Sequence, residues 1–261
     1  DENYIKQGYR VSACQSPGKE RLHNEDAIFT FQGSFLRCET PFSIGLFLVA
    51  DGMGGHQRGE EASRQAAQGA GQFLLENLLP VFFDEEIPSE EVLKGLVTEA
   101  VQKAQHLVLN RVPGSGTTLT LALVIGDRLV SAHVGDSRLY LLSPQGKLQL
   151  KTKDHSLVNR LVELGEISHS EADQHPQRNV LYRALGQSDA LGPDVSLLPF
   201  EKGDRLLICS DGLWSVLSDP LIEEMISSVK DFDETTAELV RAANDAGGPD
   251  NISVVLVEKL V

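Results

Sequence analysis

One stretch of the chain decides the fold, and it reads Ile44-Gly45-Leu46-Phe47-Leu48-Val49-Ala50-Asp51-Gly52-Met53-Gly54-Gly55-His56. Its apolar first half predicts a buried strand that ends on the carboxylate of Asp51. The glycines that follow permit backbone conformations closed to other residues, so main-chain oxygens can approach a ligand closely. A carboxylate at a strand end, a flexible turn and the nearby His56 together predict a metal-binding reaction centre with a proton donor.

Two further carboxylates lie beside predicted strands. The apolar run 206–210 leads into Asp211-Gly212, and Asp250 lies just before the strand-like run 252–257, with Asn251 between them. Carboxylates are hard oxygen ligands, and no Cys/His cluster in the sequence has the spacing of a zinc site. The sequence therefore favours Mg²⁺ or Mn²⁺, and Mg²⁺ keeps several waters, so few protein ligands are expected.

Several more motifs occur in the same order as in a known family. They are Arg21-Leu22-His23-Asn24-Glu25-Asp26, Gly116-Thr117-Thr118 and Gly135-Asp136-Ser137-Arg138. With the three strand-end aspartates, they make the chain resemble metal-dependent serine/threonine protein phosphatases of the type 2C (PPM) family over roughly residues 8 to 258. Further motifs resemble its bacterial branch: Asp154-His155-Ser156, Gly165-Glu166-Ile167, His175-Pro176-Gln177-Arg178-Asn179 and Arg183-Ala184-Leu185-Gly186.

The resemblance implies a binuclear metal centre between two stacked sheets. Asp51 would bridge both ions, and the Gly52 carbonyl would bind one of them. Asp211 and Asp250 would complete the other. Two such ions, roughly 4 Å apart, can clamp a phosphoryl group and activate water. The resemblance also implies that Glu25 and Asp26 orient metal-bound waters.

The resemblance assigns three further roles around that centre. Arg21 would bind the substrate phosphate through its planar guanidinium, and His56 would protonate the departing alkoxide. Asp136 matches a residue that helps to bind a third, weaker ion, although it could instead be a turn carboxylate paired with Arg138. The third ion is in doubt because Ser215 stands where relatives commonly carry an aspartate.

Composition bounds the class of protein. The chain has 261 residues, 41% of them apolar and 23% charged, which is ordinary for a soluble globular protein. We interpret residues 1–261 as a single catalytic domain. The net charge of −15 argues against a nucleic-acid-binding surface. The odd set Cys14, Cys38 and Cys209 has no CxxC pattern and favours a reduced, cytoplasmic setting.

Hydrophobic periodicity predicts an α+β fold, because strands, helices and strands follow one another through hairpins. With the resemblance, this predicts an αββα sandwich of two antiparallel sheets flanked by helices, with an inserted flap at about residues 154–186. Strands are predicted at 8–14, 26–31, 44–50, within 117–151, at 195–199 and at 205–210. Helices are predicted at 59–79, 89–111, 219–229 and 233–246. In the flap, Leu157, Leu161 and Leu164 predict a face packed on the domain.

The favoured function is hydrolysis of phosphoserine and phosphothreonine in proteins, opposing serine/threonine kinases of eukaryotic type. The alternatives are a catalytically inactive phosphatase-like module that binds phosphoproteins and a cation-binding structural protein. No predicted primary metal ligand is missing, which favours the enzyme. We expect phosphorylated proteins as partners, no nucleic acid, no membrane segment in this chain and a monomer. The first residue is Asp1 and not Met, which leaves open a removed upstream segment.

Overall fold

The computed structural model describes residues 8–37, 40–54, 58–82, 87–187, 192–227 and 231–261. The strands of this part are β1 (Tyr9–Ser16), β2 (Ala27–Arg37), β3 (Thr40–Ala50), β4 (Gly52–Met53), β5 (Gly116–Thr117), β6 (Leu119–Ile125), β7 (Arg128–Val134), β8 (Arg138–Leu142), β9 (Gln149–Leu150), β10 (Asp194–Pro199), β11 (Arg205–Cys209) and β12 (Ile252–Lys259). Its α-helices are α1 (Arg58–Leu78), α2 (Glu90–Arg111), α3 (Leu157–Glu163), α4 (His169–Asp173), α5 (Asp211–Trp214), α6 (Asp219–Ser227) and α7 (Phe232–Asp245).

Ten of these strands form two five-stranded antiparallel sheets. One has the order β1-β12-β11-β8-β9 and the other β10-β7-β6-β3-β2, while β4 and β5 form a small separate pair. The first sheet brings the two ends of the described chain together, because β1 pairs with β12 from Tyr9–Lys259 to Ser16–Ile252. The second is built from hairpins, among them the predicted two-residue turn at Gly126-Asp127 between β6 and β7.

Three apolar layers explain how the sheets and helices stack. Between the sheets, Phe47 and Val124 of one pack with Ile208 and Val255 of the other. The outer face of the β3-containing sheet packs against α1 and α2, and the outer face of the other sheet packs against α5, α6 and α7. This is the predicted αββα sandwich. Burying both faces of each sheet accounts for continuous apolar runs such as the one that ends at Ala50.

The two long helices form where periodicity predicts them. In α1, Ala62, Ala66 and Ala70 are fully buried, as their four-residue spacing indicates. Helix α2 starts after Ser89, whose side chain accepts a hydrogen bond from the Val92 amide and caps the helix. Within the described residues, no helix combines the length and apolar character that a bilayer-crossing segment requires.

The segment from residue 154 to residue 186 differs from the rest of the chain. It contains α3 and α4; one isolated bridge within it pairs Ser156 with Leu181, and another pairs Leu185 with Thr117 of β5. The predicted packed face of α3 is wrong in part, because Leu164 is 56% exposed. The residue that α3 buries is Val158. The helix ends at Glu163, and Leu164 follows it on the exposed side.

Candidate metal centre

The backbone of Asp51 is held by the two threonines of the neighbouring strand segment. Its amide donates to Thr118 Oγ1 at 2.9 Å. Its carbonyl oxygen accepts from Thr117 Oγ1 at 2.8 Å and from the Thr118 amide at 2.9 Å. The chain therefore leaves β3 in one fixed direction, with the carboxylate of Asp51 at the end of the strand. Both threonines therefore have a structural role beside the site.

Gly52 lies where the loop after β3 passes the start of α1. A Cβ atom at this position would overlap the carbonyl oxygens of Gly59 and Glu25. No larger residue fits without moving one of these segments, so the close approach requires glycine. The same contact places Glu25 beside the loop, where its amide donates to Asn251 Oδ1 at 2.7 Å.

Carboxylates from distant parts of the sequence meet beyond Asp51. Burial raises the pKa of Asp51 well above its usual value, and the charges of Asp26, Asp211, Asp136 and Asp250 raise it further. Burial also raises the pKa of Asp211, to about 6, and the charge of Asp250 raises it further. Because like charges repel strongly when buried, a cation among them would lower the free energy of the ionised centre.

Two oxygens of this centre lack any hydrogen-bond partner in the part of the chain that the structure describes. They are Oδ1 of Asp26 and Oδ1 of Asp211, and both are shielded from solvent. The other Asp26 oxygen accepts from Ser253 Oγ at 2.6 Å. A buried acceptor without a donor costs about 1–3 kcal/mol, and a metal ion or its water would remove that cost.

The donor set fits Mg²⁺ or Mn²⁺ better than a metal that needs a closed protein cage. Among the described residues, no three His, Cys, Asp or Glu side chains already converge on one point as a ready-made metal site. Ions of this class complete their coordination with water and take few carboxylates from the protein. Mg²⁺ or Mn²⁺ can therefore be bound by a ligand set as small as Asp51, Asp211 and Asp250.

Arg21 lies at the solvent side of the centre. Its Nη2 donates to Asp250 Oδ2 at 2.7 Å, and 55% of its side chain is exposed. An ion pair this open to water contributes about 0–1 kcal/mol, so the guanidinium can change partners at little cost. The structure thus places the predicted phosphate-binding arginine beside a predicted metal ligand.

Asp136 is buried in the turn between β7 and β8. Burial raises its pKa, and the charges of Asp211 and Asp154 add to this. The alternative ion pair with Arg138 does not form, because Arg138 donates to Asp154 at 2.7 Å. Trp214 Nε1 donates to the Asp136 carbonyl at 3.0 Å and fixes the turn. Ser215, which makes the third ion doubtful, is exposed at the end of α5.

A cavity of about 390 Å³ opens beside the loop after β4. Met53 and Gly54 line it on one side, and Ser115, Gly186 and Gln187 line it on the other. The buried Ser115 Oγ has no partner in the described part of the chain. The end of the flap segment and the loop that follows Asp51, here called the metal-centre loop, therefore border the same cavity. His56, the predicted acid, lies outside the described residues.

Comparison with known proteins decides the family. The family model described as protein phosphatase 2C matches residues 19–258. The chain belongs to the protein phosphatase 2C family. It is 38% identical to the serine/threonine phosphatase stp of Listeria innocua, over 93% of this chain and 92% of that protein. It is 34% identical to protein phosphatase PhpP of Streptococcus pneumoniae, over 95% and 96%.

Solved members of the family have the same architecture. The Mycobacterium tuberculosis phosphatase PstP/Ppp superposes with a TM-score of 0.81 at 33% identity, covering 97% of this chain and 99% of that one. A PstP catalytic domain in complex with two manganese ions gives 0.79 at 31% identity, over 97% and 99%. The predicted family and the sandwich fold are confirmed, and a metal-dependent phosphatase is supported.

Several residues that hold the candidate metal centre in place were not predicted from the sequence. Asn251 and Ser253 support Glu25 and Asp26, and Trp214 supports Asp136. Each of them immediately follows, or lies close to, a predicted site aspartate in the sequence. A polar or indole group near a strand-end carboxylate is the signal that could have found them. The partners themselves come from distant elements and are visible only in the fold.

Proposed function

We propose that this member of the family hydrolyses phosphoserine and phosphothreonine in proteins, with water as the nucleophile at a pair of Mn²⁺ or Mg²⁺ ions. The observation that carries this proposal is the buried carboxylate cluster with unpartnered oxygens on Asp26 and Asp211. The relatives named as serine/threonine phosphatases support the reaction class over an inactive phosphoprotein-binding module.

Asp51, the Gly52 carbonyl, Asp211 and Asp250 would hold the two ions, and Glu25 and Asp26 would hold waters around them. When bound, the ions would make water more acidic and stabilise charge on the phosphoryl group. Asp26 suits the outer role, because one of its oxygens is already occupied by Ser253. Asp136 would serve a weaker third ion, to which the exposed hydroxyl of Ser215 would contribute little.

Arg21 would exchange its pair with Asp250 for the substrate phosphate. A guanidinium can donate two parallel hydrogen bonds to phosphate oxygens, which orients the phosphoryl group as well as binding it. The exchange is inexpensive because the Arg21–Asp250 pair is half-exposed. Releasing Asp250 from Arg21 would also leave that carboxylate free to act as a ligand.

His56 would donate a proton to the alkoxide of the departing serine or threonine. An alkoxide is a strongly basic leaving group, so a positioned acid contributes roughly 10²–10⁴-fold. A cysteine nucleophile is not favoured by the described thiols. Cys209 lies in the core, and burial raises the pKa of its thiol to about 12, so it stays protonated.

The substrates we propose are phosphorylated proteins of a serine/threonine kinase pathway, met in the cytoplasm by a monomer of this chain. The flap and the adjacent cavity give such a substrate a surface beside the metal centre. That cavity offers the Ser115 hydroxyl, which has no partner in the described part of the chain, and the Met53 thioether to a residue flanking the phosphorylated one. Loop-rich segments next to a reaction centre are where binding specificity usually resides.

The test is hydrolysis by EDTA-treated protein before and after Mn²⁺ is restored. p-Nitrophenyl phosphate reports the chemistry, a phosphothreonine peptide reports the proposed substrate, and a phosphotyrosine peptide of the same sequence is the control. A single turnover in ¹⁸O-water should place one labelled oxygen in phosphate without a phosphoenzyme. Folded protein that binds the peptide but releases no phosphate at millimolar Mn²⁺ would establish the inactive module instead.

A further inference from the structure

A buried histidine at the base of the flap has no part in the proposed chemistry. His155 is 1% exposed and makes two hydrogen bonds to one residue, Gly135. The Gly135 amide donates to His155 Nδ1 at 3.0 Å, and the His155 amide donates to the Gly135 carbonyl at 2.8 Å. The side chain and the backbone of His155 therefore hold both polar groups of Gly135.

The two shortest contacts of the His155 ring set its tautomer, since the Arg183 Nη1 donor lies farther away, at 3.3 Å from Nε2. A backbone amide can only donate, so Nδ1 must be the unprotonated nitrogen of the ring. The proton then resides on Nε2, which donates to Asp194 Oδ2 at 3.1 Å. Arg183 donates to the other oxygen of Asp194 at 2.8 Å, and this holds the carboxylate in place. Burial lowers the pKa of His155 and helps to keep the ring neutral.

The residue that His155 holds is next to Asp136 in a tight turn. Gly135 has φ of +110°, and a Cβ atom there would lie 2.5 Å from the Thr118 side chain. Ser137, on the other side of Asp136, shares a 2.7 Å hydrogen bond with Thr118 Oγ1. The same Thr118 oxygen accepts from the Asp51 amide. The turn around Asp136 and the start of the metal-centre loop are thus fixed by one connected set of contacts.

His155 also lies where the flap segment leaves and rejoins the sandwich. The Tyr182 amide donates to the His155 carbonyl at 3.0 Å, and the two rings lie 5.6 Å apart. Arg183, which holds Asp194, directly follows Tyr182. A displacement of either end of the flap would therefore reach Gly135 through one residue, His155.

We infer that His155 is a positioning residue that joins the flap to the metal centre by fixing the Gly135–Ser137 turn and, through it, the Asp136 carboxylate. The part that concerns metal binding rests on the proposed function, and the part that concerns the turn does not. His155 does not touch the substrate. It acts by accepting one backbone hydrogen bond, and this distinguishes it from a histidine that only fills space.

Two substitutions separate these roles. In His155→Asn, the amide oxygen can occupy the position of Nδ1 and keep the acceptor, although the contact with Asp194 is lost. In His155→Leu, bulk is kept and the acceptor is lost. His175→Asn is the matched control, since His175 is a partly exposed flap histidine whose Nδ1 contacts only the Gln177 amide.

The first measurement is amide hydrogen exchange of Gly135 in metal-free protein, which is independent of activity. Because one hydrogen bond contributes about 1 kcal/mol, the Gly135 amide in His155→Leu should exchange about fivefold faster than in the wild type. The Gly135 exchange rate in His155→Asn should stay within about threefold of the wild-type rate, which corresponds to about 0.6 kcal/mol. In His175→Asn this rate should be unchanged. Equal exchange in the Asn and Leu variants would overturn the inference.

The second measurement is Mn²⁺ binding by calorimetry, with the phosphopeptide KM taken at saturating Mn²⁺. In His155→Leu, the Kd of the weakest Mn²⁺ binding event should rise about fivefold or more, which corresponds to about 1 kcal/mol. The phosphopeptide KM should stay within twofold of the wild-type value. Faster Gly135 exchange with wild-type Mn²⁺ binding would overturn the connection to the metal centre. If the wild type binds no Mn²⁺, the proposed function fails, while the exchange result still decides the role of the turn.

A surface variant keeps the inference testable if His155→Leu does not fold. Asp194 is about half-exposed, so Asp194→Ala should leave the fold intact. It removes the acceptor that keeps the proton on Nε2, and it should speed Gly135 exchange by about threefold, or about 0.6 kcal/mol. Unchanged exchange in Asp194→Ala would show that the ring needs no orienting partner and would overturn the inference.

Discussion

The metal centre and the base of the flap both bury ionisable groups, but they satisfy them differently. At the centre, one oxygen each of Asp26 and Asp211 has no partner in the described part of the chain. At the base of the flap, both ring nitrogens of His155 and both of its backbone groups are hydrogen-bonded. The difference separates a site that needs a ligand from a scaffold that is complete without one.

The largest effect should follow the removal of one anionic ligand from the centre. Asp211→Asn keeps the shape of the side chain, removes a negative charge and takes away a metal ligand. Turnover should fall about a thousandfold or more, corresponding to ~4 kcal/mol of lost stabilisation. Phosphatase assays at saturating Mn²⁺ measure it, and Asp51→Asn should behave alike.

The folded state provides an independent check on the same substitution. Without metal, Asp211→Asn should unfold at the same temperature as the wild type or higher, because it relieves repulsion between buried carboxylates. With Mn²⁺, the wild type should gain more in melting temperature than the variant. Near-wild-type turnover in both Asp211→Asn and Asp51→Asn would contradict the two-metal proposal, whatever the melting temperatures of these variants.

His56→Ala should have the next largest effect, and the effect should depend on the leaving group. A phosphothreonine peptide needs its alkoxide protonated, whereas p-nitrophenolate departs largely unaided. The rate on the peptide should therefore fall by at least about tenfold more than the rate on p-nitrophenyl phosphate, within the 10²–10⁴ that an acid supplies. Equal losses on the two substrates would remove His56 from the acid role.

Local patterns predicted the elements well because their causes are local. The spacing of Ala62, Ala66 and Ala70 predicted α1, and the Ser89 hydroxyl marked the start of α2. The order of the strands could not be predicted in this way. Pairing of Tyr9 with Lys259 joins residues at opposite ends of the sequence, and no local period carries that information.

The candidate site shows the same limit. Aspartates at strand ends are visible in sequence, and the fold brings Asp51, Asp136 and Asp211 together. The contacts that hold them are not visible, since the Thr118 hydroxyl serves the Asp51 amide and Ser137 across the fold. The sequence does not single out His155, because an imidazole has no burial pattern of its own. His155 is buried only because Gly135 and Asp194 provide partners.

A buried histidine should also make stability depend on pH. His133 is 2% exposed, and burial, with the neighbouring His155, lowers its pKa from 6.5 to about 3. In the unfolded chain, His133 binds a proton near pH 6.5, whereas in the folded chain it does so only near pH 3. The contribution to stability is therefore complete above pH 6.5 and falls with decreasing pH, by at most about 1.4 kcal/mol per pH unit.

Urea unfolding of the wild type and His133→Gln between pH 7.5 and 5 measures this effect. The variant should be less stable at pH 7.5 but should lose less stability on acidification, so the two curves should converge. His175→Gln, at a partly exposed flap position, should run parallel to the wild type. Parallel curves for His133→Gln and the wild type would show that another group carries the acid sensitivity.

The smallest effect should come from the outer surface of the flap. Arg160 is exposed, and its ion-pair partner among the described residues is Glu163 at 3.2 Å, whereas Asn159 donates to the Asp154 carbonyl and supports the loop. Arg160→Ala is therefore the cleaner probe of recognition. The loss of one exposed charge contact costs about 0.2–1 kcal/mol, so the phosphopeptide KM should rise by a factor of about 1.4 to 5.

Turnover of p-nitrophenyl phosphate by Arg160→Ala should stay near the wild-type value, because the scaffold at His155 remains complete. Arg241→Ala is the matched control, since Arg241 is an exposed arginine paired with Glu234 on α7. A KM change in Arg160→Ala alone would assign recognition to the flap surface. If neither variant alters any peptide parameter, the flap is a cover held by His155, and substrate selection lies in the cavity between Met53 and Gln187.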